Sequence, residues 1–169
     1  MHNLKEYGFT FNEIIKDKIK NIVKVNNQRN INRMDEIFSK TSFQFSNFLK
    51  KTNPDLVVVH GDRSEALACA IISCLNNIKV AHIEGGEITG TVDEMIRHSI
   101  SKIANYHFVT NKIAKKRLIQ MGEKKSSIFT IGSPDVDIIL KKNLPSITSS
   151  KKRYSIRFKR YSMNYKNCP

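Results

Sequence analysis

The 169 residues contain no Cys-x-x-Cys pair, no G-x-G-x-x-G, no G-x-x-x-x-G-K-[ST] and no apolar run of bilayer length. Each absence removes a class of protein. Three cysteines, Cys69, Cys74 and Cys168, without paired spacing argue against a structural metal or a disulfide framework. Cys69 and Cys74 read instead as small apolar residues of one helix. His60, His82, His98 and His107 have no metal-ligand spacing either, so no metal and no cofactor are expected. The missing glycine motifs count against dinucleotide and P-loop sites of the usual kinds. Without a leader-like segment or a spanning run, the chain reads as cytoplasmic with no membrane partner.

Acid is also missing, but only locally. Residues 141–169 hold nine Lys or Arg and no Asp or Glu. The whole chain has 29 basic and 15 acidic residues, a net of +14. Residues 1–140 therefore hold 20 basic against the same 15 acidic residues, a net of +5. The basicity belongs mostly to the tail and does not mark the rest as a nucleic-acid binder. Tyr154, Phe158, Tyr161 and Tyr165 interleave with that charge, which keeps a nucleotide- or nucleic-acid-binding module as an alternative that a steep salt dependence would reveal.

What is present is an alternation. Residues 11–34 suggest a short exposed element, and Met34, Ile37, Phe38, Phe45, Phe48 and Leu49 recur at helical spacing up to Asn53-Pro54. Leu56–Val59 follows as an unalternating apolar strand, the pattern of a strand covered on both faces. Then come a helix over Ser64–Leu75, a strand over Lys79–Ile83, a helix over Val92–Ala104 and a strand over Tyr106–Thr110. A helix over Lys112–Met121, a strand over Ser127–Ile131 and a helix from Asp135 complete the series. Short connections between alternating elements predict an α/β fold: a Rossmann-like parallel sheet with right-handed crossovers and helices on both faces. The organisation expected is one unit over 1–142 and an irregular basic tail over 143–169, where the alternation stops as if truncated or frameshifted.

Two buried strands end in polar clusters, His60-Gly61-Asp62-Arg63 and His82-Ile83-Glu84-Gly85-Gly86-Glu87. Strand ends on one edge of a parallel sheet sit side by side, and ligands bind at that edge. Asp62 reads either as a helix N-cap or as a carboxylate facing a crevice. Glu84 reads either as a solvent-facing loop residue or as a site acid, because a carboxylate closing a buried strand is costly unless it is used. Asp93 and Glu94 open the next helix, where acids complement the dipole; Arg97, one turn on, is placed to pair with them. Gly132-Ser133-Pro134 follows the fourth strand in a turn able to cradle phosphate.

These motifs, together with Thr89-Gly90-Thr91-Val92-Asp93-Glu94-Met95-Ile96-Arg97-His98 and Ile131-Gly132-Ser133-Pro134, resemble the hydrolysing UDP-N-acetylglucosamine 2-epimerases. The likeness covers residues 1–140 and is most specific over 55–140. It favours the sialic-acid-pathway branch, since non-hydrolysing members carry an Ala-Gly-Leu-Arg-type turn where this chain has Gly85-Gly86-Glu87-Ile88. The resemblance implies two Rossmann-like domains in the glycosyltransferase-B arrangement, a UDP-sugar in the cleft between them, and frequent self-association. It implies anti elimination of UDP to 2-acetamidoglucal, then addition of water to give N-acetylmannosamine. Asp62, Glu84, Asp93 and Glu94 match the positions of the family's acid/base carboxylates, and Arg63, Gly85, Gly86, Arg97, Gly132 and Ser133 line the substrate side. The family's first strand would precede residue 1, and its second domain, with a catalytic His, would follow. The expectation is a piece of the N-terminal domain, inactive or nearly so alone. A UDP-N,N′-diacetylbacillosamine 2-epimerase would share every motif quoted.

Overall fold

The computed structural model describes residues 4, 8–28, 33–140, 146, 148 and 149. Apart from those last three positions, the basic tail over 143–169 lies outside the described residues. The chain divides into a unit over residues 1–133 and a second over 134–169. Within the first unit the elements are α1 (Phe11–Lys16), α2 (Met34–Thr52), β1 (Leu56–His60), α3 (Ser64–Leu75), β2 (Lys79–Ile83), α4 (Val92–Ile103), β3 (Tyr106–Val109), α5 (Lys112–Gln120) and β4 (Ile128–Thr130). A 3₁₀ turn over Lys125–Ser127 leads into β4. In the second unit α6 spans Pro134–Ile139.

Local chemistry explains the boundaries. Asn53 stops α2 with left-handed backbone, φ 40° and ψ 59°, and its N–H returns to Leu49 O at 2.8 Å. Asn tolerates that region better than most residues, so the helix ends one residue before Pro54 would forbid it. Asn111 caps α5, its side-chain oxygen accepting from the N–H groups of Ile113 and Ala114 at 2.8 Å each.

The sheet is wholly parallel, in the order β1-β2-β3-β4. Val59 pairs with His82 and His82 with His107, so Val57, Val59, Val80, His82, His107, Val109 and Ile128 share one face. That face carries the core. Val59 and Val80 pack with Ala70 of α3, Ile96 and Ile100 of α4, and Ala104, which caps the C-terminus of α4. Val109 and Ile128 pack with Ala114 and Leu118 of α5. A fully buried Ile100 or Leu118 is worth roughly 2–3 kcal/mol of hydrophobic stabilisation.

The α/β parallel sheet is the architecture the sequence implies, but the described crossover helices cover one face, not two. The strands follow one another across the sheet without reversing, so right-handed crossovers put α3, α4 and α5 on the same side. The expectation that Leu56–Val59 is covered on both faces therefore fails at two residues. Leu56 is 43% and Val58 57% exposed, while Val59 between them and His60 is 5% exposed. On the same open face Phe129 stacks on Phe108 with ring centroids 5.5 Å apart.

Candidate functional site

Parallel pairing fixes where the polar clusters go. His60 lies opposite Ile83, and the ladder continues beyond the strands: Gly61 N–H donates to Ile83 O at 3.1 Å and Glu84 N–H to Phe108 O at 2.8 Å. The segments carrying Asp62 and Glu84 thus leave the sheet side by side at its carboxyl edge.

Arg97 of α4 reaches this edge from below. Its side chain is only 6% exposed, and a buried guanidinium must be fully engaged to be tolerated. Nη2 donates to Asp62 Oδ2, and Nη1 donates to Glu87 O at 2.8 Å. One cation therefore ties the turn after β1 to the loop after β2. The N-cap reading of Asp62 and the same-helix pairing of Arg97 both give way here. Asp62 is not the N-cap of α3, a position taken by Arg63 without a side-chain cap bond. Arg97 pairs with Asp62 across the fold and not with Asp93 or Glu94 on its own helix.

Glu84 adopts φ +65°, a left-handed conformation that costs a non-glycine residue roughly 1–3 kcal/mol. Its backbone still serves the ladder while its carboxylate meets His60, with Oε2 and Nε2 3.0 Å apart. His60 was not singled out by sequence, yet the strand parity that buries Val59 places it beside Glu84.

The other acids are spoken for by the loops. Glu94 Oε2 accepts the N–H groups of Thr89 and Gly90 at 2.8 Å each, and these bonds hold its carboxyl below the usual range. This is the reach-back of an N3 carboxylate over its own helix start. Glu94 Oε1 also lies 3.9 Å from His98 Nε2. Thr91 Oγ1 donates to Asp93 Oδ2 at 3.4 Å. Glu87, part of the polar cluster after β2 but not among the expected site residues, accepts from Thr110 Oγ1 and from Asn111 Nδ2, the latter at 2.8 Å. It fastens the loop after β2 to the start of α5.

Gly85 and Gly86 are required by the protein's own interior. A Cβ on Gly85 would lie 2.8 Å from Ser101 Oγ and 2.9 Å from His82 Nδ1. One on Gly86, at φ +82°, would lie 2.6 Å from Ala114 O. Arg117 Nη1 donates to Gly86 O, locking that close approach.

Not every predicted residue joins the cluster. Arg63 Nε donates to Glu65 Oε2 at 3.3 Å along α3. Gly132, at φ +84°, and Ser133 follow β4, two strands from β2, which is roughly 10 Å across the sheet. They share the carboxyl edge with Asp62 and Glu84 but stand apart from them. Among the described residues no group of three or more His, Cys, Asp or Glu has metal-binding geometry, and no helix is long and apolar enough to cross a membrane.

Comparison with known proteins supplies the context for this edge. A family model described as UDP-N-acetylglucosamine 2-epimerase matches residues 1–165, so the match runs on into the basic tail. A UDP-N-acetylglucosamine 2-epimerase from Neisseria meningitidis serogroup B is 41% identical over 164 residues, 97% of this chain and 44% of the relative. A UDP-N,N′-diacetylbacillosamine 2-epimerase (hydrolyzing) from Legionella pneumophila is 43% identical over 145 residues, 83% of this chain and 38% of the relative. Among solved structures, the Methanocaldococcus jannaschii UDP-GlcNAc 2-epimerase in complex with UDP-GlcNAc and UDP superposes with TM-score 0.69 at 29% identity. That superposition covers 75% of this chain and 36% of the other. The chain spans less than half the length of the relatives it matches.

Proposed function

The chain belongs to the UDP-N-acetylglucosamine 2-epimerase family, and from that premise we propose that it supplies the N-terminal half of a hydrolysing 2-epimerase cleft. The reaction is UDP-N-acetylglucosamine plus water to N-acetylmannosamine plus UDP. A base removes the proton on carbon 2 and the electron pair forms the carbon 1–carbon 2 double bond. The carbon 1–oxygen bond breaks, and UDP leaves with that bonding pair. Water then delivers hydroxyl to carbon 1 and a proton to the opposite face of carbon 2.

One observation carries the reading: Asp62 and Glu84, 22 positions apart in sequence, emerge together at the carboxyl edge. Acid and base steps need groups within hydrogen-bond reach of the same sugar. In this proposal Asp62 and Glu84 share those steps with Glu94 and Asp93, and Arg97 orients Asp62. Glu84 has His60 beside it as a proton partner. Glu94, kept ionised by two amide N–H groups, is an acceptor and a source of negative potential toward developing positive charge on the sugar. Gly85 and Gly86 seat the loop after β2 closely against Ser101, His82 and Ala114, and in this proposal Gly132 and Ser133, farther along the same edge, receive the pyrophosphate.

A chimera tests this, with residues 1–140 replacing the matching segment of the Neisseria enzyme and UDP-N-acetylglucosamine as substrate. Phosphorus and proton NMR should show free UDP and N-acetylmannosamine. Accumulation of UDP-N-acetylmannosamine without UDP would place the chain in the non-hydrolysing class. The chain by itself should release UDP negligibly, because half a cleft cannot orient the sugar. The similarity to the Legionella enzyme supports a second reading in which the sugar is the N,N′-diacetylbacillosamine derivative. Relative kcat/KM for the two nucleotide sugars decides between them.

A further inference from the structure

His82 is the penultimate residue of β2 and has no exposed surface. Its Nε2 sits 2.8 Å from Gly61 O and its Nδ1 3.0 Å from Ser101 Oγ. A carbonyl can only accept, so Nε2 carries the proton and Nδ1 receives the Ser101 hydroxyl. Each end of that ring touches an element that bears a site residue. Gly61 immediately precedes Asp62 and holds φ +76°. Ser101 is one turn beyond Arg97 on the same face of α4. Gly85, next to Glu84, rests directly on the His82–Ser101 bond, with no room for a Cβ.

We propose that His82 is the positioning residue of the site: it holds the Asp62 turn against Arg97 and seats the Glu84–Gly85 turn above the same ring. The proposal rests on the assignment of Asp62 and Glu84 as reacting carboxylates. Any buried imidazole needs partners at both nitrogens; what distinguishes this one is that both partners, and the glycine fitted to the ring edge, belong to segments that carry site residues. Burial lowers the imidazole pKa to about 4, so the donor–acceptor polarity of the ring stays fixed at neutral pH. His107, the register partner on β3, and Arg97 and His60 nearby all act on the ring in the same direction, against a second proton.

Two substitutions divide the roles. His82→Gln retains a donor for Gly61 O and loses the acceptor for Ser101; His82→Asn does the reverse. In nitrogen-15 spectra of this chain the wild-type ring should be protonated at Nε2 only. The Gln variant should leave the Gly61 and Asp62 amides and the Arg97 Nε–H near their wild-type positions, while the Asn variant moves them. Val109 and Leu118 amides, in the other core cluster, should stay put in both and report an intact fold. Should either variant fail that control, Ser101→Ala serves: the ring keeps its tautomer, and the Gly85 amide shifts. A ring protonated at Nδ1, or Asn and Gln variants that move Asp62 equally, would overturn the proposal.

UDP-N-acetylglucosamine added to the Neisseria chimera, where the cleft is complete, separates this from the functional assignment. Signals of Asp62 and Glu84 should respond in wild type and the Gln variant, and respond at least about tenfold more weakly in the Asn variant. No response in wild type defeats the substrate assignment and leaves positioning to be decided by the ligand-free spectra. An equal response in all three defeats the positioning role.

Discussion

At φ +65° Glu84 occupies backbone space that suits glycine, and the chain tolerates it for the sake of a carboxylate placed beside His60. The strain has a measurable sign. Glu84→Gly relieves the left-handed cost and Glu84→Ala does not, so the glycine variant should be the more stable of the two by about 1 kcal/mol in urea unfolding. The reverse order would show that the conformation carries no strain. Both variants lose the carboxylate and should lose the proposed acid/base function. The sequence made Glu84 conspicuous, because an acid closing an apolar run before two glycines calls for a reason. It could not show His60 as its neighbour or His82 as the support beneath, since burial of an imidazole depends on strand parity and on which helices arrive above it. Arg97 was visible as a cation near two acids. Its true partner, Asp62, is 35 positions away and only the sheet brings it close.

Among the elements, alternation and punctuation made the helices and strands legible nearly to the residue, with α3 and β2 matching their expected bounds. The face of β1 was not legible, because Leu-Val-Val-Val looks the same whether one side or two are covered. Strand order decides it, and order is a property of crossovers that share no local signal. The consequence is a sharp contrast between neighbours. Val59→Thr buries a hydroxyl among Ala70, Val80 and Ile100 and should cost about 1–3 kcal/mol. Val58→Thr, on the open face, should change stability by less than about 0.5 kcal/mol. Equal losses from the two would contradict the one-sided packing.

For the folded unit as a whole, the two buried imidazoles make stability depend on pH. Burial lowers His82 to about 4 and also pushes His107 down, although Glu123, 3.3 Å from the His107 ring, works the other way. Unfolded imidazoles titrate near ~6.5. Below that the unfolded chain binds protons that the folded protein refuses, so stability is complete above ~6.5 and is lost as pH falls toward 4. His82 alone should account for on the order of 3 kcal/mol of that loss. Denaturant midpoints at pH 7 and pH 4.5 should show the fall, and His82→Gln should flatten it. A flat wild-type profile would mean that the rings are not buried as described.

The claim on which the rest depends is that Asp62 and Glu84 work on one substrate at one edge of the sheet. A kinetic double-mutant cycle in the Neisseria chimera tests it most directly, using Asp62→Asn, Glu84→Gln and both together. Each single substitution should lower kcat by about 10²–10⁴-fold, and the double should lose little more than the worse single, as groups acting in one chemical unit do. Single variants with near-normal kcat, or a double whose loss is the full product of the two, would contradict the account.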